Sequence, residues 1–337
     1  MAPNLRIRRE FAVRRGRASG TMPAMAAPAQ PLALIFRALQ LGDLLVAVPA
    51  IRAVRRALPG HRLVLATSGW LEPVVRLIPA VDALVPVAAL GEPLPFAAGQ
   101  VDVAVNLHGG GPQSADAVDA LGARLTVRHA IRPGEPGPAW REAVHERVRW
   151  VRLVAASGMP GDPAETAIER PRVPSTAPSA VVLHVGAAFA SRQWPVARFA
   201  AVARSLEAQG RRVVLSGSAG ERPRALAVAA AAGLADDRVL AGATDLAGFV
   251  ALIADATLLI SADTGAGHLA SAYGTPSVVL FGPVGPDRWG PPPGPHAALT
   301  HAALRVGEAF HGGPDPALLA VTVEEVLAAA AAVGRGR

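Results

Sequence analysis

The sequence predicts an α/β protein built as two doubly wound, parallel-sheet domains facing a central cleft. Three observations predict it. From residue 31 onward short apolar runs alternate with segments of helical periodicity, as parallel strands and their crossover helices do. The alternation comes as two series of similar length. Between them, residues 157–178 hold five prolines and little periodicity, the composition of an interdomain linker. The expected layout is an arginine-rich disordered tail over 1–30, an N-terminal domain over 31–160, a linker proper over 161–178 and a C-terminal domain over 179–337.

The first series opens with the strand Leu32–Phe36 and a loop from Arg37 to Asp43. A helix is expected from about Leu44 to Leu58, because Leu44, Val48, Ile51, Val54 and Leu58 recur every three to four residues. Pro49 predicts a kink or a late start there, and Pro59-Gly60 ends the element. Arg62–Thr67 reads as a strand and Leu71–Leu77 as a helix. Ala83–Val87 and Val101–Leu107 read as the next strands. Gly109-Gly110-Gly111 opens a loop before a helix at Ser114–Leu121; Leu125–Val127 is a strand, and Trp140–Ala156 a longer amphipathic helix.

The second series repeats the scheme. Ala180–Val185, Arg212–Ser216, Ala256–Ser261 and Ser277–Phe281 read as strands. Val196–Gln209, Pro223–Ala232, Leu246–Ala254, Leu269–Gly274 and Val323–Val333 read as helices, three of them stopped by Gly210, Gly233 and Gly274. Ligands of such sheets bind beyond the carboxyl ends of the strands. The loops after Phe36, Leu107, Val185, Ser216, Ile260 and Phe281 should therefore face the crevice.

Composition narrows the function classes. Hydrophobic residues make up 51% and charged residues 18%, which excludes disorder for most of the length. No apolar run reaches the roughly 18 residues of a membrane span; Leu246–Ile260 comes closest and is broken by Asp255. There is no cysteine, so disulfides, thiolate metal sites and cysteine nucleophiles are excluded. The net charge of +7 is uneven: residues 1–20 carry six arginines and one glutamate, while the rest carries 27 arginines against 25 acids, and there is no lysine. A nearly neutral body argues against a nucleic-acid surface. The basic stretch (Arg6, Arg8, Arg9, Arg14, Arg15, Arg17) reads most simply as a disordered extension or an upstream start before Met22 or Met25; the other reading is contact with anionic lipid. No secretory signal is recognised, so the expected location is the cytoplasm.

Four loops at strand ends carry candidate chemistry. Asp263-Thr264-Gly265-Ala266-Gly267-His268 links an apolar strand to a helix start. Free N–H groups and the helix dipole make such a turn a cradle for phosphate, although Asp, Thr and Gly are equally ordinary cap and turn residues. Asp43, after Gly42, is either an N-cap or a general base facing the cleft. Gly186 permits close backbone approach, and Arg192 is either a bidentate cation for phosphate oxygens or a solvated arginine before Trp194-Pro195. Ser216-Gly217-Ser218-Ala219-Gly220-Glu221 is a small-residue loop whose carboxylate accepts ribose hydroxyls or serves only the helix dipole. The nine histidines show no pair at metal-ligand spacing and no acidic cluster flanks His268, so that residue is read as a hydrogen-bonding or phosphate-facing group. His108, beside Gly109, either lines the acceptor side or is a plain loop residue, and the triple glycine lacks dinucleotide-fingerprint spacing.

The set resembles glycosyltransferase family 9, whose best-known members are ADP-heptose:lipopolysaccharide heptosyltransferases. The resemblance rests on Leu41-Gly42-Asp43 followed by an apolar segment and Pro49-Ala50, on Arg192 just before Trp194-Pro195, on Asp263-Thr264-Gly265-x-x-His268, and on Phe281-Gly282-Pro283. It runs in order over residues 31–335.

The resemblance implies a GT-B fold and an inverting sugar transfer. The N-terminal domain would receive a glycan or glycolipid acceptor, with Gly42, His108 and Gly109 on that side. Asp43 would take the proton from the acceptor hydroxyl. Arg192, where the family often has lysine, would neutralise the leaving diphosphate together with Asp263, Thr264, Gly265, Ala266, Gly267 and His268. Glu221, with Gly186, Ser216 and Gly217, would hold the ribose and nucleoside. The scheme implies a nucleotide-sugar donor, by analogy ADP-heptose, and requires no metal or other cofactor. A monomer is expected, cytoplasmic or peripheral at the inner face of the membrane. Two competing readings are a GT-B nucleotide-sugar epimerase and a non-catalytic nucleotide-sugar-binding protein; an intact Asp43 favours transfer over mere binding.

Overall fold

The computed structural model describes residues 30–88, 90–309 and 312–334. The arginine-rich stretch expected as a tail, up to residue 29, lies outside the described residues. Residues 31–337 form one compact unit. Among the described residues no helix is long and apolar enough to cross a membrane.

The first half runs β1 (Leu32–Phe36), α1 (Leu41–Ala57), β2 (Arg62–Thr67), α2 (Glu72–Val75), β3 (Ala83–Pro86), β4 (Val103–Asn106), α3 (Pro112–Asp119), β5 (Leu125–Val127) and α4 (Glu146–Ala155). The second runs β6 (Val181–His184), α5 (Val196–Ala208), β7 (Val213–Ser216), α6 (Arg222–Ala232), α7 (Leu246–Asp255), β8 (Leu258–Ala262), α8 (Gly265–Tyr273), β9 (Ser277–Leu280), α9 (Pro286–Trp289), β10 (His296–Leu299), α10 (Pro316–Leu319) and α11 (Val323–Gly334). The strands make two five-stranded sheets, ordered β3-β2-β1-β4-β5 and β10-β9-β8-β6-β7. Every pairing is parallel; Ile35 lies opposite both Leu65 and Val105, and Leu183 opposite both Leu215 and Ile260.

Alternation along the strands divides the core into three. Ala33 and Ile35 of β1 point to one face, and Leu34 and Phe36 to the other. The first set joins α1, α4, α7 and α8 and the inward residues Val182 and Leu259 of the second sheet in one continuous core. The outer face of the second sheet is covered by α5, α6 and α11. The two sheets thus share an apolar interior, with α1 packed on α8. Leu44 and Leu269 are fully buried in it, and truncating either to alanine should cost about 2–5 kcal/mol.

The stretch 157–180 contains neither helix nor strand, yet it is tied to both halves. Glu165 pairs with Arg56 of α1 at 2.7 Å, Arg170 with Asp255 of α7 at 3.1 Å, and Tyr273 of α8 donates to the Glu169 carbonyl at 3.1 Å.

Several elements depart from expectation. Helix α1 starts at Leu41 with Pro49 inside it rather than at Leu44; the Gln40 N–H donates to Asp43 Oδ2 at 3.3 Å and closes the first turn. Helix α8 starts at Gly265, so the glycines of the turn are its first residues rather than a preceding loop. Helix α4 starts at Glu146, not Trp140: the His145 ring accepts from the Arg147 N–H and caps it. Trp140 instead lies under the Arg149 guanidinium at 3.8 Å. The short elements α9, β10 and α10 were not expected from the sequence.

Candidate active site

The starts of α1 and α8 meet at a cavity of about 690 Å³. Their approach explains two glycines. A Cβ on Gly42 would lie 3.0 Å from His268 Cδ2, and one on Gly265 would lie 3.0 Å from Leu41 Cδ2. A side chain at either position would crowd that neighbour, which would have to give by a few tenths of an ångström. Both sets of free N–H groups, and the positive ends of both dipoles, therefore serve one space.

Asp43 lines the cavity from α1, with about a quarter of its side chain exposed. Asp43 is not the N-cap of α1, a place taken by Gln40; as the third helix residue it accepts the Gln40 N–H on one carboxylate oxygen while the group still faces the cavity. Arg37, at the end of β1, approaches Oδ1 at 3.4 Å and donates from Nε to the Asp43 carbonyl. The guanidinium is buried, also donates to the Leu107 carbonyl, and lies 4.7 Å over the Trp150 ring. Burial pulls Arg37 below the usual arginine range, while Asp43 and Glu146 push it back up. Sequence reasoning missed Arg37; its place at a strand end next to the Asp43 loop was the available signal.

Opposite stands the Arg192 loop. It is fixed by Trp194, fully buried, whose indole donates to the Val321 carbonyl at 3.0 Å. One Arg192 terminal nitrogen lies 3.5 Å from Asp263 Oδ2 and 3.4 Å from the Asp263 carbonyl. Arg192 Nε and Thr264 Oγ1 are both buried without a hydrogen-bond partner. Two unpaired donors beside a helix start suit an incoming anion. Thr264 is the N-cap residue of α8 but makes no side-chain cap, so its hydroxyl remains available.

Asp263 takes a different place from the expected one. It lines the cavity, but as the partner of Arg192: an ionised carboxylate repels phosphate and cannot donate to it. Burial pushes its carboxyl up to about 6, with Arg192 opposing and Asp43 adding to the rise. His268 also faces the cavity, with its ring 5.9 Å from that of Trp289. Burial first, then Arg147, His145 and Arg192, push it down to about 3, so the imidazole is neutral at physiological pH and offers a hydrogen bond rather than a charge.

Glu221 lines the far wall with Gly217 and Ser218. Its Oε2 accepts the Ser218 N–H at 2.7 Å. A Cβ on Gly186 would fall 2.1 Å from the Glu221 carboxyl, so Gly186 makes room for that group and does not itself line the cavity. Ser216 is buried and shares a 3.0 Å hydrogen bond with His184 Nδ1, behind the wall rather than on it. Ala266 lines the cavity, whereas Gly267 packs toward Val279.

The structure does not bring His108 and Gly109 into this cavity. The His108 ring stacks on Phe36, with centroids 4.8 Å apart, and Nδ1 accepts the Ala38 N–H at 3.2 Å. Burial, then the Arg37 charge, pushes it down to about 4, which suits that acceptor role. Gly109 presents its carbonyl to Ser114 Oγ at 3.4 Å. Four aromatic lining residues, Trp70, Phe189, Phe249 and Trp289, carry no motif that singles them out in the sequence. Among the described residues no group of three or more His, Asp or Glu side chains is arranged to hold a metal ion.

Residues 155–306 match the family model for glycosyltransferase family 9 (heptosyltransferase). The matched segment carries Arg192, Glu221 and the 263–268 turn, and leaves Asp43 outside it. Lipopolysaccharide heptosyltransferase 1 of Pseudomonas aeruginosa is 35% identical over 153 residues, 44% of this chain and 42% of that protein. The match thus spans less than half of that relative's length. A glycosyltransferase family 9 structure from Veillonella parvula superposes with a TM-score of 0.75 at 19% identity, covering 91% of this chain and 98% of that one. An Escherichia coli ADP-heptose lipopolysaccharide heptosyltransferase II gives a TM-score of 0.73 at 20% identity, covering 90% and 98%. At such identities the likeness is one of fold, and the fold is GT-B: two doubly wound sheets around a cleft. The glycosyltransferase family 9 match thus belongs to residues 155–306, and the GT-B fold to the chain as a whole.

Proposed function

We propose that the protein is an inverting glycosyltransferase that moves a sugar from a nucleoside-diphosphate donor to an acceptor hydroxyl. The observation that carries this reading is the meeting, in one cavity, of the Asp43 carboxylate with the start of α8 and two buried unpaired donors, Arg192 Nε and Thr264 Oγ1. A binding protein needs the second half of that arrangement but has no use for the first.

On this reading the acceptor hydroxyl attacks the anomeric carbon from the α1 side. Its proton passes to Asp43, which Arg37 and the Gln40 N–H hold in place. The bond from the anomeric carbon to the diphosphate oxygen breaks as the new one forms, and configuration inverts. Charge growing on the diphosphate meets Arg192, the Thr264 hydroxyl and the N–H groups of Gly265 and Ala266. Fixed donors at a developing anion are worth roughly 3–4 kcal/mol each. Asp263 positions Arg192, and Glu221 takes the ribose hydroxyls.

The donor is ADP-heptose and the acceptor a glycan of the lipopolysaccharide core; the named relatives support both. The reaction then belongs to the cytoplasmic face of the cell envelope. Calorimetry with ADP and a transfer assay on the Asp43→Asn variant test the reading. Turnover should fall at least about a hundredfold, the usual worth of a general base, while ADP affinity stays within threefold. Undiminished turnover would remove Asp43 as the base.

A further inference from the structure

Part of the cavity lining is not used by the phosphate chemistry. Thr244, Leu246 and Phe249, at the start of α7, line the cavity from the second half of the chain. Trp70 lines it from the first half. Trp70 sits in the single turn between β2 and α2 and is 50% exposed, the most exposed tryptophan of the five. Its neighbour Leu71 is fully buried in the same core as Val250 and Ile253 of α7, and α2 packs on α7. The indole is therefore anchored through its backbone while its surface stays open to the cavity.

From these positions we infer that Trp70 is a stacking platform for the nucleobase of the donor, supplied across the cleft by the half that does not hold the phosphates. The inference rests on the transferase reading above and extends it to a named residue. Arg192 and Thr264 fix the diphosphate end, and Glu221 marks the ribose. The chain beyond packs on the Ser218–Glu221 turn: a Cβ on Gly242 would lie 2.7 Å from Ala219 Cα, and Thr244, two residues further on, lines the same cavity. A base continuing from that ribose arrives between Phe249 and Trp70. Aromatic faces accept any base by stacking, so the platform supplies affinity while polar neighbours select the base. Donor binding would then draw on both halves of the chain.

The test is calorimetry on Trp70→Ala and Trp70→Phe, with ADP and with inorganic pyrophosphate as probes. Trp70→Ala should bind ADP about tenfold more weakly, the usual worth of one stacked base. Trp70→Phe should stay within about threefold of the parent, and pyrophosphate affinity should be the same in all three proteins, because the phosphate site is untouched. Unchanged ADP affinity in Trp70→Ala overturns the inference, whatever happens to acceptor KM. An equal loss for ADP and pyrophosphate overturns it too, since the substitution would then disturb the site at large. Failure of the parent protein to bind ADP or any other nucleoside diphosphate removes the transferase reading and this inference with it.

Discussion

Asp263 should make the protein more stable in mild acid, and the structure sets the size of the effect. The carboxyl is only 6% exposed and faces Arg192 at 3.5 Å on one side, with Asp43 nearby. Burial outweighs the ion pair and lifts the folded-state value from 3.8 to about 6. The folded chain therefore holds this proton more tightly than the unfolded chain. The stabilisation is complete below pH 3.8, is lost as pH rises toward 6, and is gone above it. At 1.36 kcal/mol per pH unit the full span is about 3 kcal/mol, of which about 2 kcal/mol is present at pH 4.5. Other groups titrate in the same window, so the measurement must be a difference. Urea unfolding of the parent and of Asp263→Asn, each at pH 8.0 and pH 4.5, supplies it. Asparagine cannot ionise; the parent should gain about 2 kcal/mol on the variant between the two pH values. No relative gain would refute burial as the dominant influence on Asp263. A gain of the opposite sign would mean that Arg192 holds the carboxylate ionised.

Two more outcomes follow from the same site. In Gly186→Ala the added Cβ displaces the Glu221 carboxyl, 2.1 Å away, so ADP affinity should fall severalfold while the melting temperature moves little, because the clash is with the end of a flexible side chain; isothermal titration and a thermal melt read the two effects. If Arg192 leaves Asp263 for a diphosphate, Asp263 loses its cation and gains an anionic neighbour, so its value should climb above about 6 and ADP binding at pH 7 should take up a fraction of a proton; calorimetry in buffers of different ionisation enthalpy measures that uptake, and identical heats would rule out the exchange.

The parallel sheets were legible because apolar runs such as Leu32–Phe36 and Ser277–Phe281 are buried on both faces and show it in composition. Arg192 and Thr264 were legible as a pair because loops at the carboxyl ends of such strands converge by topology alone. What escaped was tertiary. His296–Leu299 has weak strand propensity and is a strand because it pairs with β9. Trp140–His145 continues the helical period of α4, but Trp140 leaves it to pack against the Gly110 backbone, where a Cβ would lie 2.4 Å from the ring, and under Arg149. The ion pair between Arg192 and Asp263, the Arg37 contact with Asp43 and the stacking of His108 on Phe36 each join residues whose relation only the fold creates.

The starts of α1 and α8 were misjudged for one common reason, and it bears on mechanism. Glycine at a helix start reads locally as loop, since it weakens a helix by about 1 kcal/mol relative to alanine. Gly42 and Gly265 are tolerated there because each yields its side-chain space to the other helix: His268 fills one and Leu41 the other. The two helix starts are thereby locked at contact within a shared core, and the groups they carry inherit a fixed spacing. On the transferase reading that spacing separates the proton acceptor, Asp43, from the leaving-group cradle at Thr264. An in-line displacement needs those two on opposite sides of one carbon atom. Two residues without side chains, far apart in the chain, allow the helix starts that carry those groups to meet.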